Sequence, residues 1–172
     1  MRVIAKIFII SLIVGFLSFP ISAKKYVLKY GTIAPKGTAW ARNINKFRQE
    51  VAKKTNKEVK IKIYFGGVAG DERTMVRKLK SGNLDIGSFT GIGLGMIVPE
   101  SRVIEIPTLF KNYKQVDRAI KVMYPEWEKK FRKKGFELIG WAETGFIYLM
   151  AKRPGKKIDD LKGMKVWMPS GD

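Results

Sequence analysis

The chain has 172 residues, of which 45% are hydrophobic and 12% aromatic, and this is enough apolar material for a folded domain with a core. It contains no cysteine and no histidine, which excludes disulfides, thiolate chemistry, imidazole metal sites and any histidine-dependent catalytic triad. The formal net charge of +19 would attract polyanions or an acidic membrane surface, but the lysines are spread over every segment, which favours solvated outer faces of helices.

The first segment of the chain is typical of an export signal. Arg2 and Lys6 introduce the apolar run 7–21, and Ala23 supplies the small residue expected at a cleavage point. A membrane anchor is the alternative, but the run is short for a stable span and Pro20 interrupts it. The sequence therefore predicts cleavage after Ala23 and an exported mature protein.

Strand-like and helix-like segments then alternate, which predicts an α/β architecture with a largely parallel sheet. A strand over 26–33 precedes Thr38, which is placed as a helix N-cap before an apolar stripe of helical spacing. A second strand is predicted over 58–65, and a second helix over 71–80 with acidic residues in its first turn. The run 84–89 predicts a short buried strand.

The second half of the chain has a less regular pattern. The apolar run 103–110 predicts an extended segment. A helical stripe follows over 113–131, but Pro125 interrupts it, which predicts two consecutive helices with Pro125 at the first position of the second. Two further strands are predicted over 136–143 and 145–152, and then a single helical turn that leads into a last strand.

No arrangement of side chains in the sequence predicts catalysis. The motif GIGLG (91–95) lacks the glycine spacing of a dinucleotide fingerprint and no GK[ST] follows, so it predicts a flexible loop at the carboxyl end of a strand. Open α/β sheets bind ligands at that edge, which makes Thr90 a candidate contact. Asp71 and Glu72 suit helix capping, and no spacing of acidic residues predicts a metal site. Trp40 and other aromatics suit either core packing or the wall of an apolar cleft.

Three stretches of the sequence together carry a family resemblance. They are GGVAGDERTMVRKLKSGNLDIGSF (66–89), PESRVIEIPTLFKNY (99–113) and FELIGWAETGFIYLMAKRPGKKIDDLKGMKVWMPSGD (136–172). In order and spacing they resemble the DctP-type solute-binding proteins of TRAP transporters. The resemblance implies a periplasmic-binding-protein type II-like fold, in which two α/β lobes joined by crossover strands close on a small organic anion. It also implies delivery of that solute to a membrane permease; no cofactor, enzymatic activity or nucleic-acid partner is predicted.

The predicted export signal and the resemblance together imply a domain organisation. Residues 1–23 are predicted to be the signal peptide, 24–142 the first α/β lobe, and 143–172 the crossover and the start of the second lobe. Family members are longer, and the predicted last strand has no closing element after it. We therefore expect the two-lobed fold to be incomplete in this chain.

The expected site follows from the edge of the sheet and from the family motifs. The family usually carries carboxylate-clamping arginines at two positions where this sequence has Ile147 and Trp167, which predicts a less charged, more apolar or aromatic ligand. The candidate substrate-binding residues are Thr38, Trp40, Glu72, Phe89, Thr90, Glu143, Phe146 and Trp167. Two alternatives stay open: a receptor for an ABC-type importer, and a basic exported protein that associates with acidic envelope polymers.

Overall fold

The computed structural model describes residues 25–146 and, beyond them, residues 148, 150–152, 155, 157–165 and 167. The predicted export signal (1–23) and Ile147 lie outside the described residues. The fold is built on a three-stranded parallel sheet with strand order β2-β1-β3. Its strands are β1 (Tyr26–Thr32), β2 (Val59–Tyr64) and β3 (Ile86–Ser88). The predicted α/β architecture with a parallel sheet is confirmed.

Helices connect the strands and continue after them. Helix α1 (Ala39–Lys54) links β1 to β2, and α2 (Glu72–Lys80) links β2 to β3. The remaining elements are α3 (Gly91–Gly95), a first 3-10 helix (Pro99–Glu105), α4 (Tyr113–Lys133) and a second 3-10 helix (Ile158–Leu161). Among the helices in the described part of the chain, none combines the length and apolar character needed to cross a membrane.

Different helices pack on the two faces of the sheet. On one face, Tyr30 and Ile61 pack against Ile44 of α1 in one apolar cluster. On the other face, the carboxyl half of β1 lies against α2 so closely that a Cβ at Gly31 would come within 2.8 Å of the sulfur of Met75. Glycine at this position therefore allows α2 to seat on the sheet.

A second apolar cluster lies beyond the sheet, beneath α4. Trp127 and Phe131, each 1% exposed, are its largest members, and Val76 of α2 belongs to the same cluster. This shared residue joins the layer formed by α4 to the sheet and its helices, so that residues from both halves of the described chain contribute to one core.

The predicted extended segment over 103–110 is wrong. Residues 99–105 form the first 3-10 helix, with Pro99 in its first turn, and residues 106–110 are irregular. Val103 and Ile104 are adjacent in sequence and both pack against the cluster beneath α4. Two neighbouring inward residues fit a helical turn and do not fit a strand, whose side chains alternate between faces.

The prediction of two helices separated at Pro125 is also wrong, because α4 runs through Pro125 without a break. A proline inside a helix removes one backbone hydrogen bond and introduces a steric conflict with the preceding turn. Burial of Trp127 and Phe131 on the same helix offsets this cost, since each removes a large aromatic surface from water.

The strands predicted over 136–143 and 145–152 are not formed at their described positions. The chain instead runs back along α4, where the Tyr124 hydroxyl donates to the carbonyl oxygen of Leu138 at 3.0 Å. Trp141 stacks on Trp127 with ring centroids 4.6 Å apart. Aromatic contacts with α4 thus take the place of a strand ladder.

Near the end of the described chain, the predicted helical turn is confirmed as the second 3-10 helix. The strand predicted to follow it is not formed at the described residues 164, 165 and 167.

Candidate functional site

The carboxyl edge of the parallel sheet gathers the ends of all three strands and the beginnings of three helices. Thr38, Asp71 and Thr90 are the N-caps of α1, α2 and α3, and each side chain accepts a hydrogen bond from a backbone amide of its helix. The predicted N-cap role of Thr38 is confirmed. Because parallel strands end on the same side, the three capped turns lie along one edge, where open α/β sheets bind ligands.

Hydroxyl groups and backbone amides fasten this edge together. Thr32, which is fully buried, accepts hydrogen bonds on its Oγ1 from the Ser88 hydroxyl at 2.8 Å and from the Ala34 amide at 3.1 Å. The loop after β2 joins the same network, because the Gly67 amide donates to the Thr32 carbonyl at 3.1 Å. The ends of all three strands are therefore held in a fixed relation before any ligand arrives.

A buried phenol lies beside this network. Burial raises the pKa of Tyr30, and a hydrogen bond with Ser88 partly opposes the rise. Thr32, Ser88 and Tyr30 are not among the site residues predicted from the sequence. The alternation of residues along β1 could have indicated that Tyr30 and Thr32 are buried, because it places both on the same face of the strand as the apolar Leu28.

Glu72 fixes the turn that follows β3. Its side chain is only 8% exposed, and its carboxylate accepts hydrogen bonds from the Thr90 amide at 2.6 Å, the Thr90 hydroxyl at 2.8 Å and the Gly93 amide at 2.8 Å. Hydrogen bonds to an ionised acceptor are stronger than neutral ones. Glu72 thus joins the first residue of α2 to the first turn of α3.

The flexible loop predicted for the motif GIGLG is wrong, because residues 91–95 form α3. Its glycines permit close packing. A Cβ at Gly91 would collide with the carboxylate of Glu105, and one at Gly95 would lie 2.5 Å from the Cδ of Arg102. Glu105 and Arg102 form an ion pair at 3.1 Å on the first 3-10 helix. The glycines therefore bring α3 against that helix.

The structure brings together five of the eight residues predicted from the sequence along this edge. Glu72, Thr90 and Phe89 form one group, and the ring of Phe89 lies against Gly87 and Gly93. Thr38 lies at the start of α1, and Trp40 packs in the cluster between α1 and the sheet.

The other three predicted residues lie elsewhere. Glu143 is exposed, and Phe146 lies against Tyr113 of α4 with ring centroids 4.9 Å apart. Trp167 is 84% exposed.

The acidic residues at this edge do not form a metal site. Within the described residues, no group of three or more acidic side chains comes close enough together to hold a metal ion. The pKa of Asp71 is lowered, first by its hydrogen bonds with Thr74 at the start of α2. Its carboxylate is thus ionised and engaged as a helix cap. The hydroxyls of Thr38 and Thr90 donate within the protein, to the Pro35 carbonyl and to Glu72, so the capped turns form a preorganised polar edge at the end of the sheet.

Comparison with known proteins gives a consistent set of relatives. Residues 30–171 match the DctP family, described as bacterial extracellular solute-binding protein, family 7. A solute-binding protein from Verminephrobacter eiseniae is 31% identical over 126 residues, which cover 72% of this chain and 37% of that protein. The chain spans less than half the length of the relatives it matches.

Solved structures show the same likeness. A TRAP periplasmic solute-binding protein from a Polaromonas species, bound to D-erythronate, is 28% identical with a TM-score of 0.60, covering 64% of this chain and 37% of that one. One from Citrobacter koseri, bound to D-glucuronate, is 25% identical with a TM-score of 0.72, covering 80% of this chain and 47% of that one.

Proposed function

Because the chain belongs to the DctP family of bacterial extracellular solute-binding proteins, we propose that it forms the ligand-binding edge of a periplasmic receptor that supplies a small organic acid to a TRAP-type permease. The family match over residues 30–171 carries this proposal. The fixed row of capped turns supports it, because a preformed polar edge lowers the cost of ordering the protein around a ligand. Family members are solute-binding proteins and not enzymes.

The ligand class that we propose is a polar organic acid of sugar-acid size. The similar structures carry D-erythronate and D-glucuronate, which each combine one carboxylate with several hydroxyls. The more apolar or aromatic ligand expected from Ile147 and Trp167 has no support from these proteins. The high exposure of Trp167 gives no support for a closed aromatic wall either.

The residues proposed to bind the solute fall into two sets. Thr38, Trp40, Glu72, Phe89 and Thr90 would form the floor contributed by the first lobe, residues 24–142. Within this set, Glu72 acts through Thr90, because its carboxylate already accepts three hydrogen bonds and holds the turn in place.

The second set would approach from the other lobe. Glu143, Phe146 and Trp167 belong to the proposed crossover and second-lobe segment, residues 143–172. Closure would bring this segment toward the floor, and contacts made only in the closed form would drive it. Export with cleavage after Ala23 is part of the same proposal.

A thermal-shift series on the exported protein tests the ligand class. We expect D-glucuronate or D-erythronate to raise the melting temperature, because a ligand at about 100 times its Kd adds about 2.7 kcal/mol to the free energy of unfolding. D-glucose serves as the matched control that has hydroxyls without a carboxylate, and benzoate tests an aromatic acid. Stabilisation by benzoate alone would restore the aromatic hypothesis, and no stabilisation by any acid would refute the proposal for this chain.

A further inference from the structure

Half of one sheet face is uncovered in the described part of the chain. Helix α2 covers only the carboxyl half of the face opposite α1, over Gly31. On the amino half of that face, Val27, Lys29, Lys60 and Lys62 are all exposed. Parallel sheets normally have both faces covered, so among the described residues this half-face lacks its usual cover.

Lysines lie side by side on this open half-face. The register of the parallel pair places Lys29 next to Lys62 and Val27 next to Lys60. Like charges on neighbouring positions of adjacent strands repel each other. No ion pair involves Lys29, Lys60 or Lys62 in the described structure, although the Lys62 ammonium lies 5.3 Å from the centre of the Tyr64 ring. An anionic surface would relieve this repulsion.

Further positive charge reaches the same end of the sheet. Each helix between parallel strands returns the chain to the amino edge, so the last turns of α1 and α2, with Lys53, Lys54 and Lys80, end there. The acids at this edge are fewer: Glu58 precedes β2, and the Asp85 carboxylate accepts a hydrogen bond from the Lys29 backbone amide at 2.7 Å. Lysines that are scattered in the sequence thus converge in space.

We define the basic pole as Lys25, Lys29, Lys57, Lys60, Lys62 and Lys80, all of which are exposed. Apolar and aromatic surface lies among these charges, because Tyr26 is 50% exposed and Val27 is 59% exposed. Lysine combined with tyrosine and an aliphatic residue suits the headgroup region of a bilayer, where amphipathic rings and basic side chains both find partners. A soluble polyanion would pair with the lysines but would offer no apolar surface to the tyrosine and valine side chains.

The chain order points to the same partner. The described chain enters the fold at Lys25, beside β1 at the amino edge, and the apolar sequence 7–21 lies shortly before it. The predicted export signal would therefore join the domain at the same end of the sheet as the basic pole, to which Lys25 belongs. The carboxyl edge lies at the other end of β1, about 20 Å away for a seven-residue strand.

We propose that the basic pole docks the protein onto the anionic surface of a lipid bilayer, with the candidate ligand edge turned away from the lipid. This docking is independent of the solute, since it uses the opposite end of the sheet. It would hold the protein near the membrane by charge and leave the capped turns open to solvent.

Vesicle binding of the exported protein tests the proposal. Vesicles of phosphatidylcholine with phosphatidylglycerol are compared with vesicles of phosphatidylcholine alone, in a co-sedimentation assay. The test variant is Lys29→Gln/Lys60→Gln/Lys62→Gln, and the matched control is Lys46→Gln/Lys121→Gln/Lys129→Gln, which removes the same charge from exposed outer helix faces. Circular dichroism checks that both variants are folded.

We expect the unmodified protein to bind the anionic vesicles, and we expect high salt to release it. The test variant should lose affinity by on the order of 100-fold, since each lysine near an anionic surface contributes about five-fold. The control variant should lose less than about five-fold. Equal losses in the two variants would overturn the proposal, because binding would then follow net charge alone. Equal binding to neutral vesicles, or binding to polyglutamate without binding to anionic vesicles, would also overturn it.

Discussion

Removing the Glu72 carboxylate tests how the candidate ligand edge is held together. Glu72→Ala deletes the acceptor of three hydrogen bonds from Thr90 and Gly93, and it leaves the Gly93 amide buried without a partner. Glu72→Gln keeps the length of the side chain and one acceptor oxygen, but its amide nitrogen would face a donor.

The magnitude follows from the type of hydrogen bond. A bond to a charged group contributes about 1.5 to 3 kcal/mol, and bonds that share one carboxylate do not add fully. We therefore expect Glu72→Ala to lower the free energy of unfolding by about 3 kcal/mol, and Glu72→Gln by about 1.5 kcal/mol. Thr90→Val removes one of the three bonds and also the N-cap bond from the Ile92 amide, so it should cost about 2 kcal/mol.

Urea unfolding followed by circular dichroism measures these values, with the slope against urea held in common. Glu126→Ala is the matched control, because Glu126 is exposed on the outer side of α4 and should change stability by less than about 0.5 kcal/mol. The double variant Glu72→Ala/Thr90→Val should cost less than the sum of the single changes. If Glu72→Ala costs no more than the control, or if the two changes add fully, Glu72 does not act through Thr90.

Three further predictions test other parts of the fold. Gly91→Ala should lower the free energy of unfolding by about 2 kcal/mol in the same urea assay, because the added methyl group has no space. Gly140→Ala, whose methyl group would meet nothing within 4 Å, should leave stability unchanged, and equal effects of the two changes would contradict the close packing of α3. Trp141→Ala should abolish the near-ultraviolet dichroism of the stacked indoles and cost about 2 kcal/mol, and an unchanged spectrum would refute the stacking. The hydrogen bond and ion pair with Arg132 lower the pKa of Glu137 from its ordinary 4.5, so the stability of the folded protein should fall as the pH drops below about 4.5 and Glu137 becomes protonated. Arg132→Ala should reduce this loss of stability in acid, and the same dependence of stability on pH in both proteins would contradict the prediction.

The first half of the fold could be predicted from the sequence because its signals are local. The strand predicted over 26–33 is observed as Tyr26–Thr32, and the one predicted over 58–65 as Val59–Tyr64. Asp71 caps α2 as its position before a helical stripe indicates. Alternation and capping residues decide such elements within a few positions, so no distant contact is needed to recognise them.

The second half depends on contacts that the sequence does not display. An apolar run such as 103–110 fits a buried strand or a buried helical turn equally well, and packing under α4 decides between them. The glycines of α3 resembled a loop because the side chains that require them, Glu105 and Arg102, come from the next element. Pro125 reads as a helix boundary unless the burial of Trp127 beyond it is known.

The sequence predicted that Thr90 lies at the carboxyl edge of the sheet, but it did not predict the contacts that hold Thr90 there. The rule that parallel sheets bind ligands at their carboxyl edge places Thr90 there without a structure. The interaction of Thr90 with Glu72, 18 residues away in sequence, depends on how α2 packs against β3. The Thr32–Ser88 bond likewise joins residues 56 apart. Such pairs become visible only once the strand order is known.

The strand order β2-β1-β3 also determines when the sheet can form as the chain emerges from the ribosome with its amino terminus first. The strand that emerges first, β1, is the central one, and its first neighbouring strand forms only when Val59 emerges and pairs with Tyr26. The other edge of β1 is paired later, when Ile86 has emerged and pairs with Tyr30. Both edges of β1 are therefore unpaired while α1 emerges, and the sheet forms from its central strand outward.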